Sequence, residues 1–279
     1  MRTRHFVLLL AVLLTLQSAP LWAQTTGTLV VTTSIALTQN HNGNIVIAAD
    51  RDPAGNPIQL NCRNHIVTGN DSGRGITLVG RTGVTIENCQ VRNFVMGVFL
   101  DASHRNFFRN NTVFNNRAEG FRLERSDANV FIQNVVGAND RDGFDLGDSN
   151  KNVFDNNSVE RNKHNGIELD RSSFNVFRNN TASGNGSIEQ GENVGHGFSL
   201  DASDANVFIQ NTANGNREKG FRIATDDQGD GSDDNTLINN RACENGEENF
   251  DVARGSFQNW LINNRSCDFV IPPVFVRLP

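Results

Sequence analysis

The chain has no tyrosine, only two tryptophans, two methionines and six prolines among 279 residues. Lysine is almost as scarce, at Lys151, Lys163 and Lys219. Each shortage excludes something. Without tyrosine, no phenol can act as acid or base. With two methionines and scattered histidines, no soft-ligand cluster exists for copper. The four cysteines show no Cys-x-x-Cys spacing, which argues against a zinc site. Amphipathic helical stripes are missing, which excludes a helical bundle and a doubly wound α/β fold. Basic residues are outnumbered, 25 Lys+Arg against 31 Asp+Glu, giving a formal net charge of −6. An acidic chain of this kind predicts no nucleic-acid partner.

One long apolar run exists, Phe6 to Leu16, interrupted only by Thr15. Arg2, Arg4 and His5 precede it, and Pro20 and Ala23 follow. This pattern predicts a signal peptide over 1–23, removed before Gln24. The run is too short to span ~30 Å of hydrocarbon, so the mature chain is expected to carry no membrane span. The expected location is secreted or periplasmic.

What the chain has in abundance is asparagine, with 25 glycines and 19 phenylalanines. Anchored on Asn followed two residues later by a bulky apolar residue, a repeat begins at Asn106, Asn129, Asn152, Asn175, Asn206, Asn235 and Asn259. The first steps are 23 residues long, and later ones are 31, 29 and 24. Further asparagines stand at plus five and plus ten, and Gly120, Gly143, Gly166 and Gly220 stand at plus fourteen. A 23-residue unit is too short for a helical repeat or a propeller blade. Its apolar residues alternate with period two, as in Gly-Phe-Arg-Leu (120–123), which marks short strands between turns. Three strands and three turns per unit predict one coil of a right-handed parallel β-helix, about nine to ten coils in all. Phe121, Phe144, Ile167, Phe198, Phe221 and Phe250 are expected in one internal stack, and Leu123, Leu146, Leu169 and Leu200 in another. The asparagines are expected at left-handed corner positions, with their amides laddered from coil to coil. A leucine-rich-repeat solenoid is the alternative fold, but its Leu-rich signature is missing.

The stretches "IQLNCRNHIVTG" (58–69) and "GITLVGRTGVTIENCQVRNFVMGVFL" (75–100), followed by recurring "NVFxxN" and "GFxL" units, carry a family resemblance. The chain resembles the right-handed parallel β-helix repeat proteins of the NosD-like, carbohydrate-binding and sugar-hydrolase type. The likeness covers roughly 28–270. It implies the fold and export, with a function somewhere among lyases, hydrolases, epimerases and binding modules.

The predicted organisation is a cap and first coil over 24–57, the β-helix over 58–268 and a C-terminal cap over 269–279. The prolines of that cap are expected to stop further strand pairing. Insertions at 186–193 and 224–234 should emerge as loops. Cys243 and Cys267 occupy equivalent places one coil apart, and Cys62 and Cys89 stand one longer coil apart. Disulfides are expected at both pairs.

Alternation also predicts which side chains leave the barrel. Residues at plus sixteen and plus eighteen should face outward, collecting Asp145, Glu168, Asp170 and Asp201 on one patch flanked by Arg122 and Arg222. Glu168 and Asp170 should stand about 7 Å apart. Like charges on neighbouring strands repel. Three readings follow: an acid–base pair acting on a glycosidic bond, a Ca²⁺ site, or a solvated acidic face. "DRDGFD" (140–145) and "GHGFSL" (195–200) are similar to polygalacturonase motifs, which would make His196 a substrate-site residue. "HNGIEL" (164–169) stands where that family's paired aspartates belong, so the likeness is broken. The loop "DDQGDGSDD" (226–234) offers Asp226, Asp227 and Asp230 to a cation, without an EF-hand spacing. The expected function is therefore contact with polysaccharide through the outward strand face. Hydrolysis or lysis of acidic polysaccharide, and a structural surface role, are the alternatives.

Overall fold

A computed structural model describes residues 26–267, 269–271 and 273–276. The predicted signal peptide, 1–23, lies outside the described residues. The described chain contains strands and turns and no helix. Three sheets run along the molecule, with ten, eleven and eleven strands. Each coil contributes one strand to each sheet in turn, which is a right-handed parallel β-helix of about ten coils. In the first sheet the central strands are Phe121–Glu124, Phe144–Gly147, Ile167–Asp170, Phe198–Asp201 and Phe221–Ala224, paired in parallel with equivalent residues opposite one another.

The core is made of columns. Phe198, Phe221 and Phe250 stack with ring centroids 4.7 and 5.0 Å apart, and Phe131, Phe154 and Phe177 form a second stack at 4.7 Å. Rings of the two stacks meet edge to face, as Phe144 and Phe154 do at 5.2 Å. The geometry is the favoured one for aromatic quadrupoles, and each buried ring contributes about 1.5–3 kcal/mol of transfer free energy. The inward Phe and Leu columns fall where alternation places them, and all are buried except Phe250, which is partly buried.

Glycine at plus fourteen has a packing reason. A Cβ on Gly143 would lie 2.6 Å from the Gly166 carbonyl oxygen and 2.2 Å from a Val159 methyl. The chain turns into the first sheet there, and only a hydrogen fits.

The asparagine columns form amide ladders. In the middle column the backbone N–H and Nδ2 of Asn134 both donate to Oδ1 of Asn157, at 2.9 and 3.0 Å. Asn157 repeats this toward Asn180 and also donates from Nδ2 to the Phe131 carbonyl. One expectation is corrected: the ladder asparagines are not the left-handed residues. Positive φ falls on the residue before each, such as Gln133 at 55° and Asn156 at 55°. The ladder position needs its amide turned inward, and its predecessor makes the corner.

Cysteine pairing is corrected too. Cys62 and Cys89 form a disulfide, with Cα atoms 4.7 Å apart. Cys243 and Cys267 are thiols. Cys243 ends the strand Arg241–Cys243, whereas Cys267 lies just past the strand Arg265–Ser266, at a turn residue with φ at 53°. The two thiols remain in hydrogen-bond contact, and burial together with that contact pushes Cys243 up to about 11. At the C-terminal end pairing continues despite the prolines. Val274–Val276 lies antiparallel on Asn259–Ile262, and Phe275 packs on Trp260 at 4.2 Å.

Candidate functional site

The outward face of the first sheet carries the expected columns in register. Arg122, Asp145, Glu168, Ser199, Arg222 and Asp251 are successive neighbours across strands, and so are Gly147, Asp170, Asp201 and Ala224. Together with the second inserted loop they line a groove of about 480 Å³. Its floor is Arg122, Asp145, Glu168, Asp170, Asp201 and Arg222. Its wall is Arg171 with the loop residues Thr225, Asp226, Asp227 and Gln228. Among the described residues no aromatic side chain lines it.

The two floor arginines are already paired. Arg122 binds Asp145 through Nη1 and Glu124 through Nε at 2.8 Å. Arg222 donates from Nη1 to both carboxylate oxygens of Asp201 at 2.8 Å and to the Ser199 hydroxyl at 3.0 Å. Asp170 meets Arg171 at 2.9 Å. Partial burial nevertheless holds the Asp170 carboxyl above its usual range, and Asp148 and Asp201 add to that against the pull of Arg171. Carboxylates outnumber guanidinium groups around the groove.

The remaining candidates fall differently. His196 lies at the coil corner and not in the groove lining. Its Nδ1 accepts the Lys219 N–H at 3.2 Å, and its Nε2 faces Glu218 at 3.3 Å. Burial, with Arg222 and Lys219 nearby, lowers its pKa to about 3. The imidazole is therefore neutral at ordinary pH, with the Nε2–H directed at Glu218. Asp226 is occupied in closing its own loop, its Oδ1 accepting the N–H groups of Gln228 and Asp230 at 2.9 Å. Asp226 and Asp227 reach the groove wall and Asp230 does not. The three do not converge as metal ligands: among the described residues the converging acidic group is another one.

That group is Glu119, Asp142 and Asp145, whose carboxylate oxygens lie within 4.8 Å of one another, all buried. Sequence reasoning found Asp145 and missed the other two. They occupy plus thirteen, immediately before Gly120 and Gly143, in a column that continues through Asn165, His196 and Lys219. The ladder logic persists there: Asp142 Oδ1 accepts the Asn165 N–H at 2.7 Å, and Asn165 Oδ1 accepts the His196 N–H at 2.8 Å. Burial pushes the Asp142 carboxyl well above the usual range, and the neighbouring Glu168 and Glu119 push it further while the Asn165 N–H opposes them. Asp142 is also within hydrogen-bond reach of Glu168. The available signal was the break in a column otherwise able to carry amides. A fourth ladder was missed as well, Ser103, Ser126, Ser149, Ser172 and Ser203, each hydroxyl accepting the preceding coil's N–H.

Comparison with known proteins agrees with this architecture. A search by sequence finds no matching curated relative. Solved β-helix structures do match. The periplasmic alginate epimerase superposes with a TM-score of 0.64 at 16% identity, covering 87% of this chain and 61% of that one. Pectate lyase Pel9A gives 0.63 at 20% identity, covering 86% and 66%. The alginate lyase from Paenibacillus sp. gives 0.59 at 10% identity, covering 78% and 87%. This chain thus spans about three-fifths of the epimerase's length, and at these identities the likeness is one of fold. The family description "Right handed beta helix region" matches three overlapping stretches, 31–182, 74–242 and 141–269. With nearly all of its coils covered by that pattern, the chain belongs to the right-handed β-helix family.

Proposed function

We propose that this is an exported β-helix protein that holds a polysaccharide in the groove on the outward face of its first sheet. The observation that carries the reading is the groove itself. Six ionisable floor residues stand in register on rigid parallel strands, and the inserted loop walls one side. The disulfide between Cys62 and Cys89 supports export, since such bonds persist in oxidising compartments. Similarity in fold to an alginate epimerase, a pectate lyase and an alginate lyase supports a polysaccharide as the ligand class. The surplus of carboxylates sets the chemistry. Sugar hydroxyls donate to Glu168, Asp170 and Asp201, while Arg122 and Arg222 orient those acceptors and offer their remaining N–H groups. A uronate polymer would need a bridging divalent cation to approach this acidic floor.

A second reading, cleavage of an acidic polysaccharide, is favoured by one observation. Asp142 and Glu168 are in contact, and the raised pKa of Asp142 lets one proton sit between a carboxylic acid and a carboxylate. Incubation with uronate polymers, with and without Ca²⁺, separates the readings. Retarded migration of the protein without product supports binding. New reducing ends or unsaturated uronate absorbance supports catalysis. No retardation and no product with any polymer would overturn both.

A further inference from the structure

The corner beneath the groove holds more negative charge than its neighbours balance. Glu119, Asp142 and Asp145 are 3%, 4% and 6% exposed. Arg122 pairs with Asp145. Among the described residues Glu119 is ion-paired only with Arg141, 3.6 Å away and largely in solvent. Its Oε2 is buried with no hydrogen-bond partner. Elsewhere the amide ladders satisfy their buried polar atoms coil after coil, and among the described residues the only other unpartnered ones are Arg92 Nε and Asn214 Oδ1, neither of them beside a converging acidic group. An orphaned carboxylate oxygen in such a scaffold therefore needs a specific explanation, because a buried unpaired charge costs several kcal/mol.

A proton on one carboxyl relieves one pair. It does not serve three carboxylates whose oxygens converge on a common point. A hard cation does. Oxygens bound ~2.4 Å from one ion stand no farther apart than twice that distance, and the three here lie within 4.8 Å of one another. All-carboxylate donors exclude the soft-metal classes and select Ca²⁺, Mg²⁺ or Mn²⁺. Asp142 already accepts the Asn165 N–H through Oδ1, and Asp145 is oriented by Arg122, so two of the ligands are held in place before any ion arrives. Asp145 also lines the groove, which gives the ion a route in from solvent.

We propose that Glu119, Asp142 and Asp145 form a site for one hard divalent cation, of the Ca²⁺ class, at the coil corner below the groove. The ion balances the buried charge and ties two successive coils together. The inference is independent of which glycan the groove holds, and of whether it holds one.

Calorimetric titration of the chelator-stripped protein with CaCl₂ and with MgCl₂, alongside melting curves, tests it. One ion per chain and a rise in melting temperature are expected. Glu119→Gln and Asp142→Asn should each weaken binding at least ~10-fold. Asp142→Asn keeps the acceptor for the Asn165 N–H, as Asn165 itself does for His196, so it tests the site without disturbing the ladder even where Glu119→Gln fails to fold. Asp170→Asn and Asp227→Asn should bind as the parent does. Absence of heat and of any melting shift at millimolar cation would overturn the proposal. So would binding that survives Asp142→Asn but is lost in Asp170→Asn or Asp227→Asn, since the ion would then sit in the groove.

Discussion

Two kinds of corner lie side by side in each coil. Four columns are built from asparagine or serine, and in each the side-chain oxygen accepts an N–H from the preceding coil. A fifth, just before the first sheet, reads Glu119, Asp142, Asn165, His196, Lys219 from coil to coil. There Asp142, Asn165 and His196 each accept the N–H of the following coil, the reverse of the direction in the asparagine and serine ladders. The amide corners are closed systems, complete as scaffold. The ionisable corner adjoins the groove, buries titratable groups and leaves an oxygen unpaired. The difference teaches where this molecule has given up repeat regularity, and function in a solenoid is expected at such departures.

The comparison breaks most visibly at a ladder asparagine. Asn157→Ala removes the acceptor for two Asn134 donors and two further bonds made by its own Nδ2. We expect a loss of about 3–5 kcal/mol in denaturant unfolding, since several buried groups lose partners together. A loss below ~1 kcal/mol would show that the ladders are not what holds the corners.

His196 gives the next largest effect, and it depends on pH. A histidine whose folded pKa is lowered from 6.5 to about 3 contributes stability in full above pH 6.5 and loses it as pH falls toward 3. In that window the unfolded chain binds the extra proton. His196→Asn supplies an amide acceptor of the kind Asn165 already uses, with nothing to titrate. The wild type should therefore lose about 2–4 kcal/mol more than the variant between pH 7 and pH 4. Parallel curves would mean that Glu218 and Asp251 compensate the buried ring when it charges.

A smaller change converts the fifth column toward the other four. Asp142→Asn, melted in chelator at neutral pH, should be more stable than the parent by about 1 kcal/mol, because it removes repulsion from Glu168 and Glu119 while keeping the bond to Asn165. Lower stability would indicate that the carboxyl proton shared with Glu168 is itself structural.

The sequence made the architecture legible because it is periodic. Fixed spacing places Phe121 over Phe144, and Arg122 beside Asp145. The floor of the groove followed from alternation alone. What remained hidden was local. Gln133 and Asn156 carry the left-handed φ that the ladder asparagines were expected to take, because spacing shows which residues recur and not which of two neighbours turns the chain. Cys267 falls at a turn just past its strand while Cys243 lies within one, so equivalent spacing did not mean a bridge. Glu119 and Asp142 were overlooked because a corner position predicts neither burial nor which side chains share a point in space. The Gly-His-Gly of 195–197 looked like chemistry, and the structure gives His196 a place in a ladder.

As proposed above, the outward face of the first sheet is a binding surface and not merely a charged one. Affinity electrophoresis of the parent and the double variant Glu168→Gln, Asp170→Asn through uronate polymers, with Ca²⁺ present and with it chelated, tests this most directly. Glu168 and Asp170 are both only partly buried, so the apolar columns behind them are untouched. The parent should be retarded and the double variant should migrate freely, with an unchanged or slightly raised melting temperature from relieved repulsion. Equal retardation of both proteins, with the variant melting higher, would contradict it and leave the face as a solvated acidic surface.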